Sequence, residues 1–508
     1  MNPTETPKTD GLVKQTVWLT AAKMIGIAMS LIVPLVLVRR LSQRDFGLYK
    51  QAFQVLTTML TLLGLSFVAS IYYFMPREPH RKPQVAMNVL LFYALVGSIV
   101  ALFFVCWPRW ITIIFSSDDL VPNIPLLGVA IALWLFSSGF EGFMLVNAET
   151  RLASAFLVII QITKSALLIL AAVVFGSIRA IVLAAVIQGA LQCAILLTYL
   201  YLRLGPYWRS FDWPLLKAQL ANSLPYGIGG LVGIAQNDLH NYFVSHYFDP
   251  ATFAIYSVGC FQLPLLAALF DSVEMLLWRE SARLQKEGSY KQLIHVWMSA
   301  VRGLAFCFVP TCVLLFVLRH ELIVALFTRN YLGAVPIFSI NLINLLLWMP
   351  NGGLVRAFAE LRYFRLKLYL VLFPLSWAVL YVGIHTAGLV GAITSTVVLR
   401  ILDVAATSTT VAQRLGVQRV DLQPLLQILR IGTAAVVAGS ITFIVKLALA
   451  SLPGIVMMGI CSLAFGFAYL IAAVVAGAVT PEEKSKVRAL LSGLYRTGMT
   501  EMRLSRQV

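Results

Sequence analysis

The sequence predicts an all-α polytopic membrane protein, and three observations support that prediction. The 508 residues are 59% hydrophobic and only 12% charged, and the mean hydropathy of +0.85 is far above that of a water-soluble chain of this length. Apolar stretches of roughly 20 residues, each long enough to cross a bilayer as a helix, recur along the whole chain. Short matches between the two halves indicate an internal repeat.

About fourteen apolar segments are predicted to span the membrane. The first is too long for the core of a signal peptide, and no small-residue cleavage site follows it, so we expect it to remain as a helix. The predicted spans lie at approximately 16–38, 50–73, 86–107, 124–147, 153–175, 180–202, 223–247, 254–277, 294–317, 334–356, 367–384, 389–412, 431–451 and 455–479.

Short phrases recur in the same order in the two halves of the chain. FGLY at Phe46–Tyr49 matches FAIY at Phe253–Tyr256, and the segment Ile114–Pro125 resembles Leu326–Pro336. The matched phrases are about 210 residues apart, which indicates a repeat of six spans. We therefore predict two pseudo-repeated six-helix bundles that thread in the same direction, a C-terminal helix pair, and a substrate site between the bundles.

The predicted domain boundaries follow from the spans and the repeat. Aromatic residues among basic ones, Trp208, Phe211 and Trp213, favour a linker that lies in the membrane interface and about which the bundles rock. The predicted regions are a tail at 1–15, a first bundle at 16–202, the linker at 203–222, a second bundle at 223–412, helices 13 and 14 within 413–479, and an amphipathic tail at 480–508.

Lysine and arginine are concentrated in alternate loops. With a cytoplasmic N-terminus, about 25 basic residues fall inside, about 8 outside and about 6 within spans, so both termini are predicted to be cytoplasmic. The net charge of +17 then reflects orientation and contact with anionic lipid headgroups rather than nucleic-acid binding. Three outer-rim arginines, Arg39, Arg40 and Arg44, are expected outside, where they either anchor a helix end or line a substrate path.

Ten ionisable side chains fall within the predicted spans. A central position costs about 2.5–3.5 kcal/mol on insertion scales, so most of these side chains must face an aqueous cavity or one another. Arg400 and Asp403 have the i, i+3 spacing of a pair on one helix face. Glu274 and Lys446 lie near span ends and are expected to reach the interface. The other six are Lys23, Glu141, Lys164, Asp238, Asp271 and Arg302.

Several function classes lack their sequence signatures. The chain contains no P-loop, HExxH motif, zinc-ligand set or serine nucleophile elbow. Its six cysteines have neither metal-ligand nor disulfide-loop spacing. We therefore predict that the protein is not an enzyme, needs no cofactor or metal, and depends on an ion gradient, the membrane potential or the gradient of its own substrate.

Three segments of the sequence carry a family resemblance: VLVRRLSQRDFGLYKQAFQVL, YFDPATFAIYSVG and ALFTRNYLGAVPIFSI. With the fourteen spans, they resemble bacterial polysaccharide flippases of the multidrug, oligosaccharidyl-lipid and polysaccharide exporter superfamily. The resemblance covers essentially the whole chain. It implies translocation of an undecaprenyl-diphosphate-linked oligosaccharide across the bacterial inner membrane, for O-antigen or exopolysaccharide assembly, with a polysaccharide polymerase and export machinery as expected partners.

The implied substrate gives roles to the charges in the spans. Alternating access would present a cationic central cavity to the diphosphate, while amide side chains bind glycan hydroxyls. The expected contacts to the diphosphate and glycan are Lys23, Lys164, Arg302, Arg400, Asn237 and Asn241. Residues expected to bind a coupling proton or sodium ion, or to balance those cations, are Glu141, Asp238 and Asp403.

Two other function classes stay open at this stage. One is a membrane-embedded glycosyltransferase, polymerase or ligase, with Asp118 and Asp119 as conceivable metal ligands. Such enzymes usually carry a large external loop or soluble domain, whereas the external loops predicted here are short. The other is a small-molecule exporter of the same superfamily, which shares the architecture but lacks the FGLY-type phrase.

Overall fold

A computed structural model of the chain describes residues 9–361, 363–449 and 451–479. These residues form helices and connecting turns, with no strand among them. In the same part of the chain, ten helices are long and apolar enough to cross a membrane, and one bent pair of helices passes the same test as an eleventh. The predicted all-α polytopic fold is therefore confirmed. The predicted tail at 480–508 and the first eight residues lie outside the described residues.

The principal helices follow the order of the predicted spans. The first half contains α1 (Thr9–Arg40), α2 (Gln43–Gly64), α3 (Ala69–Arg77), α4 (Lys82–Cys106), α5 (Ile124–Phe136), α6 (Phe140–Val146), α7 (Thr150–Leu170) and α8 (Ile178–Leu204). The second half contains α9 (Trp213–Tyr247), α10 (Pro250–Gly259), α11 (Pro264–Lys286), α12 (Tyr290–Val317), α13 (Arg319–Phe327), α14 (Ala334–Leu346), α15 (Gly352–Ala357), α16 (Phe364–Leu415), α17 (Gln423–Ala448) and α18 (Gly454–Val475).

Breaks in the helices reconcile these elements with about fourteen spans. The 52-residue α16 holds two of the predicted spans, because Ala387 and Gly388 leave helical geometry and Gly388 has φ +56°. The pairs α2 with α3, α5 with α6, α10 with α11, and α14 with α15 each occupy one predicted span. The second span also begins earlier than predicted, since the Ser42 hydroxyl accepts a hydrogen bond from Asp45 N–H and caps α2.

Contacts within the chain define two compact units. The first contains the residues up to Leu265, together with Leu326–Asn341 and Tyr363–Leu399. The second contains Leu266–Ala325, Leu342–Arg362 and the residues from Arg400 onward. The domain boundaries expected from the sequence are not tested by this division and stay predictions.

The first unit has a close crossing where its repeated phrases meet. Ser42 caps α2, and Asp249 caps α10 in the same way by accepting from Thr252 N–H at 2.9 Å. The two helices pack so closely that a Cβ added to Gly47 would overlap the carbonyl of Pro250. The glycine of FGLY is therefore the residue that permits the contact between the two matched helices.

Buried polar groups hold the predicted linker to the first bundle. The Asn88 amide donates to the Asp212 carbonyl at 2.9 Å and to the Gln219 side-chain oxygen at 3.0 Å. Gln219 in turn donates to the Ser70 hydroxyl at 3.3 Å. Asn88, Gln219 and Ser70 are each 0% exposed. The hydrogen bonds of the network offset the free-energy cost of burying these polar groups and fix the start of α9 beside α4.

Candidate functional site

Three predicted in-span charges of the first unit, which we call the lysine cluster, lie on α1, α6 and α7, and α7 packs against both of the other helices. Lys23 of α1 lies 3.7 Å from Glu141 of α6, measured from Nζ to Oε1. The Lys164 ammonium of α7 lies 4.5 Å from the centre of the Trp134 ring of α5. Lys164 forms no ion pair or hydrogen bond with any described residue. Glu141 is thus paired with Lys23, whereas Lys164 has no acidic partner among the described residues.

A polar stripe along α2 meets α9. Lys50, Gln54 and Thr58 recur at four-residue spacing and therefore share one side of α2. The Thr58 hydroxyl donates to the Asp238 carboxylate of α9 at 3.0 Å. Sequence analysis singled out Asp238 but missed the other three residues, whose signal is their helical spacing within an otherwise apolar span.

The predicted glycan-binding amides lie on the same stretch of α9. Asn237 and Asn241 flank Asp238 and are spaced i, i+4, so they share a helix side. Asn237 is exposed and Asn241 partly buried. Neither amide side chain forms a hydrogen bond to any described residue, which leaves both free to bind a ligand.

Two of the three rim arginines are engaged by the protein. The Arg44 guanidinium binds Asp119 through two nitrogens, with Nε–Oδ2 at 2.9 Å and Nη2–Oδ1 at 2.8 Å. Arg39 donates to the Leu326 carbonyl at 2.9 Å, and Gln43 donates to the Asn330 carbonyl at 2.6 Å. Arg40 is exposed and makes no ion pair within the described part of the chain.

The rim contacts repeat with the internal symmetry. His246, like Arg39, lies seven residues before a matched phenylalanine, and its Nδ1 lies 3.3 Å from the Ile114 carbonyl. Ile114 and Leu326 are themselves matched positions. Ser116 adds two bonds, from its N–H to the Ser245 carbonyl at 3.0 Å and from its hydroxyl to the Phe248 carbonyl at 2.6 Å. Each matched loop is thus held by the helix that precedes the other half's repeated phrase.

The remaining predicted site residues lie in the second unit and have protein partners. Arg302 of α12 donates to the Ala478 carbonyl at 3.0 Å. Arg400 and Asp403 form the expected i, i+3 pair at 3.5 Å. Asp403 is 8% exposed and also accepts from the Thr407 hydroxyl at 3.4 Å. All three residues therefore have partners within this unit.

Glu274 and Lys446, which were expected to reach the membrane interface, both have partners within the protein. The Glu274 carboxylate accepts the Gly353 N–H at 2.8 Å, at the start of α15 where the tenth span is broken. Lys446 binds Glu321 at 2.7 Å and the Val317 carbonyl at 2.9 Å, with only 18% of its side chain exposed. Glu274 interacts with a helix start and Lys446 with an opposite charge, and these interactions offset the cost of burying each charge.

Asp118 and Asp119 do not assemble a metal site. Asp119 is bound by Arg44, and no group of three His, Cys, Asp or Glu side chains that could hold a metal ion exists among the described residues. The Arg44–Asp119 contact is a bidentate ion pair.

Comparisons with known proteins identify the family of the chain. A family profile described as "Polysaccharide biosynthesis protein" matches residues 12–266, and no curated protein sequence matches the chain. The lipid II flippase MurJ, in an inward closed conformation, is similar with a TM-score of 0.69 at 14% identity, over 90% of this chain and 98% of that one.

Drug and related transporters share the same fold. A MOP superfamily transporter from Pyrococcus furiosus has a TM-score of 0.57 at 14% identity, over 79% of this chain and 96% of its own. A Vibrio cholerae MATE transporter has a TM-score of 0.56 at 15% identity, over 82% and 100%. The multi-pass membrane protein has the same fold as these solved structures, and with half of its length matched by the profile, the chain belongs to the polysaccharide biosynthesis protein family.

Proposed function

We propose that the protein is a flippase, which moves an undecaprenyl-diphosphate-linked oligosaccharide across the bacterial inner membrane for surface polysaccharide assembly. The family and the transporter fold support this function. The observation that carries it is a pair of lysines within spans on the packed helices α1 and α7. Lys23 is paired with Glu141, and Lys164 has no acidic partner among the described residues.

A diphosphate headgroup would compensate this charge. An unpaired ammonium within a membrane span costs about 2.5–3.5 kcal/mol on insertion scales. Phosphate oxygens accept charge-assisted hydrogen bonds from lysine, and these bonds are about twice as strong as neutral ones. Lys164 contacts the Trp134 ring but forms no ion pair or hydrogen bond with a described residue, so it would gain most from such a ligand.

The roles of the other predicted residues depend on whether their side chains already have protein partners. Asn237 and Asn241 offer free amides to glycan hydroxyls, and Arg40 is the rim arginine left to contact the substrate. Arg302 and Arg400 already have protein partners, so we assign them secondary contacts with the diphosphate. The polymerase and export machinery remain the expected partners, and both termini are placed in the cytoplasm on the charge asymmetry of the loops.

Asp238 is our candidate for coupling transport to a proton or sodium gradient. Its carboxylate has one hydrogen-bond donor, Thr58, and no ion pair with a described basic residue. A carboxylate of this kind can bind a cation in one state of the transport cycle and release it in another. Asp403, which is paired with Arg400, and Glu141, which is paired with Lys23, are better suited to balancing charge.

The test is translocation in proteoliposomes. Purified protein is reconstituted with the lipid-linked oligosaccharide isolated from its host, and the fraction of glycan open to an impermeant glycosidase is followed over time. We expect the wild type to equilibrate the glycan between leaflets, and each of the single variants Lys23→Gln and Lys164→Gln to slow this by about tenfold, the loss of roughly one charge-assisted contact. Lys286→Gln, at the exposed end of α11, is the matched charge control.

A deletion strain separates the proposal from its rivals. Accumulation of the complete lipid-linked unit in the cytoplasmic leaflet would support translocation. A truncated unit, or a complete one already in the periplasmic leaflet, would instead indicate a biosynthetic enzyme. Normal surface polymer with raised sensitivity to drugs would indicate a small-molecule exporter.

A further inference from the structure

Lys50 is a cation without an acidic partner inside α2. It lies about two turns after the start of this helix at Gln43 and is partly buried. Its ammonium lies 5.5 Å from the centre of the Phe46 ring and 6.0 Å from that of Tyr49. It forms no ion pair and no hydrogen bond with any described residue. The described groups that act on its charge are these two aromatic faces and the side chain of Cys260.

Unpaired amides adjoin this lysine. Gln54, one turn further on the same side of α2, has a buried Nε2 with no hydrogen-bond partner among the described residues. Gln51 is 0% exposed, and neither of its amide atoms has such a partner. Leaving a buried polar group unpaired costs about 1–3 kcal/mol, and native proteins contain few of them. A polar ligand bound at this turn of α2 would remove part of that cost.

The position of Lys50 along α2 distinguishes it from the lysine cluster of α1 and α7. It lies between the rim contacts of Arg39 and Gln43 and the Thr58–Asp238 bond, about 12 Å from Thr58 along the helix axis. The matched position in the second half is Ser257, which follows FAIY as Lys50 follows FGLY. Only one half of the repeat therefore carries a cation here.

We propose that Lys50 and Gln54 form a second phosphate-binding site for the same lipid-linked substrate, on the rim side of Asp238. This site rests on the proposed function. The Lys50 ammonium and the Gln54 amide donate to oxygens of the diphosphate, while the rings of Phe46 and Tyr49 limit access of water and so strengthen the ionic contact. The diphosphate reaches this site after the lysine cluster, and it leaves when the rim contacts open.

The test measures binding of a headgroup without its glycan. The full chain is purified in nanodiscs of neutral lipid, and the affinities for undecaprenyl diphosphate and for inorganic pyrophosphate are measured by native mass spectrometry. We expect Lys50→Met to bind both probes about tenfold more weakly, the loss of one charge-assisted contact. Lys50→Arg should retain most of the affinity, and Lys291→Met, at an exposed position on α12, should match the wild type.

Thermal unfolding of the same variants separates binding from folding. Lys50 has no ion pair or hydrogen bond with a described residue, so Lys50→Met should unfold at or above the wild-type temperature. A clear decrease would overturn the proposal by showing that Lys50 supports the fold. Equal binding by Lys50→Met and the wild type would also overturn it, while leaving the flippase function standing. If phosphatidylglycerol displaced the probes at equal concentration, the site would belong to bilayer lipid, which overturns the substrate assignment. A wild type that neither binds nor moves polyprenyl diphosphate would refute the proposed function itself.

Discussion

The glycine of the FGLY phrase shows what a single residue contributes to the repeat. A Cβ at Gly47 would overlap the carbonyl of Pro250, whereas a Cβ at Gly303, inside α12, would meet no atom within 4 Å. We expect Gly47→Ala to destabilise the protein by about 1–3 kcal/mol through overpacking and Gly303→Ala to be neutral or stabilising. Thermal unfolding of the two variants in one detergent measures this, and equal unfolding temperatures would contradict the close crossing of α2 and α10.

Asp238 provides the second residue-level prediction, which concerns energy coupling. Asp238→Asn keeps an acceptor for the Thr58 hydroxyl but cannot bind a cation or release a proton. Transport by this variant should no longer respond to an imposed proton or sodium gradient, and its rate should equal that of the wild type without a gradient. Glycan translocation in proteoliposomes with and without each gradient measures the response. Asp271→Asn, an exposed in-span acid of α11, is the control, and an unchanged response in Asp238→Asn would exclude coupling at this residue.

At the scale of elements, the rim contacts join matched segments of the two halves within the first unit. The Ser116 N–H donates to the Ser245 carbonyl at 3.0 Å, so the two backbones are in direct contact, and we expect cysteines at these positions to be close enough for a disulfide. In a background without the native cysteines, Ser116→Cys with Ser245→Cys should crosslink under oxidation and reduce transport to background, and a reductant should restore it. Ser116→Cys alone should be insensitive to oxidant. Full transport by the crosslinked protein would show that the rim need not open.

The linker provides an element-level prediction about stability. Two interactions hold the pKa of Asp212 below its usual range, the hydrogen bond from Leu215 N–H and the Arg81 guanidinium at 2.6 Å. Asp212→Ala should lower the free energy of unfolding by about 1 kcal/mol because α9 loses its N-cap. Asp212→Asn keeps the N-cap and removes only the ion pair with Arg81. Because that ion pair is partly exposed, its loss should lower the free energy of unfolding by less than about 1 kcal/mol.

The lowered pKa of Asp212 also fixes the sign of its pH dependence. The charged carboxylate is favoured in the folded state, so its contribution is complete above the unfolded-state pKa of about 3.9 and is lost as the pH falls through the lower folded-state value. The difference between the wild type and Asp212→Asn should therefore be constant near neutral pH and shrink only in strong acid. Thermal unfolding across pH measures it, and a difference that changed between pH 6 and 8 would point to another group.

For the whole molecule, composition and hydropathy were enough to predict the fold class and the order of the spans. They could not locate the break after Gly64, where Leu65 and Ser66 adopt positive φ, because such a break is imposed by packing rather than by local propensity. The sequence placed Lys23, Glu141 and Lys164 in spans, but the pairing of Arg44 with Asp119, or of Glu274 with Gly353, depends on contacts between distant segments. Lys50 was missed because the predicted span began at that residue, whereas the helix starts earlier.

The threading of the whole chain is the remaining prediction, and it decides which way the two proposed phosphate sites are visited. About 25 basic residues against about 8 place the linker in the cytoplasm and the Asp118 loop outside. Asp118 and Arg209 are both exposed, so cysteines introduced there, after replacement of the native ones, are open to an impermeant maleimide on their own side. Asp118→Cys should be labelled in cells whose inner membrane is intact, and Arg209→Cys only after that membrane is permeabilised. The opposite pattern would put the rim contacts at the cytoplasmic end, and the substrate would then meet Lys50 before Lys23 and Lys164 rather than after them.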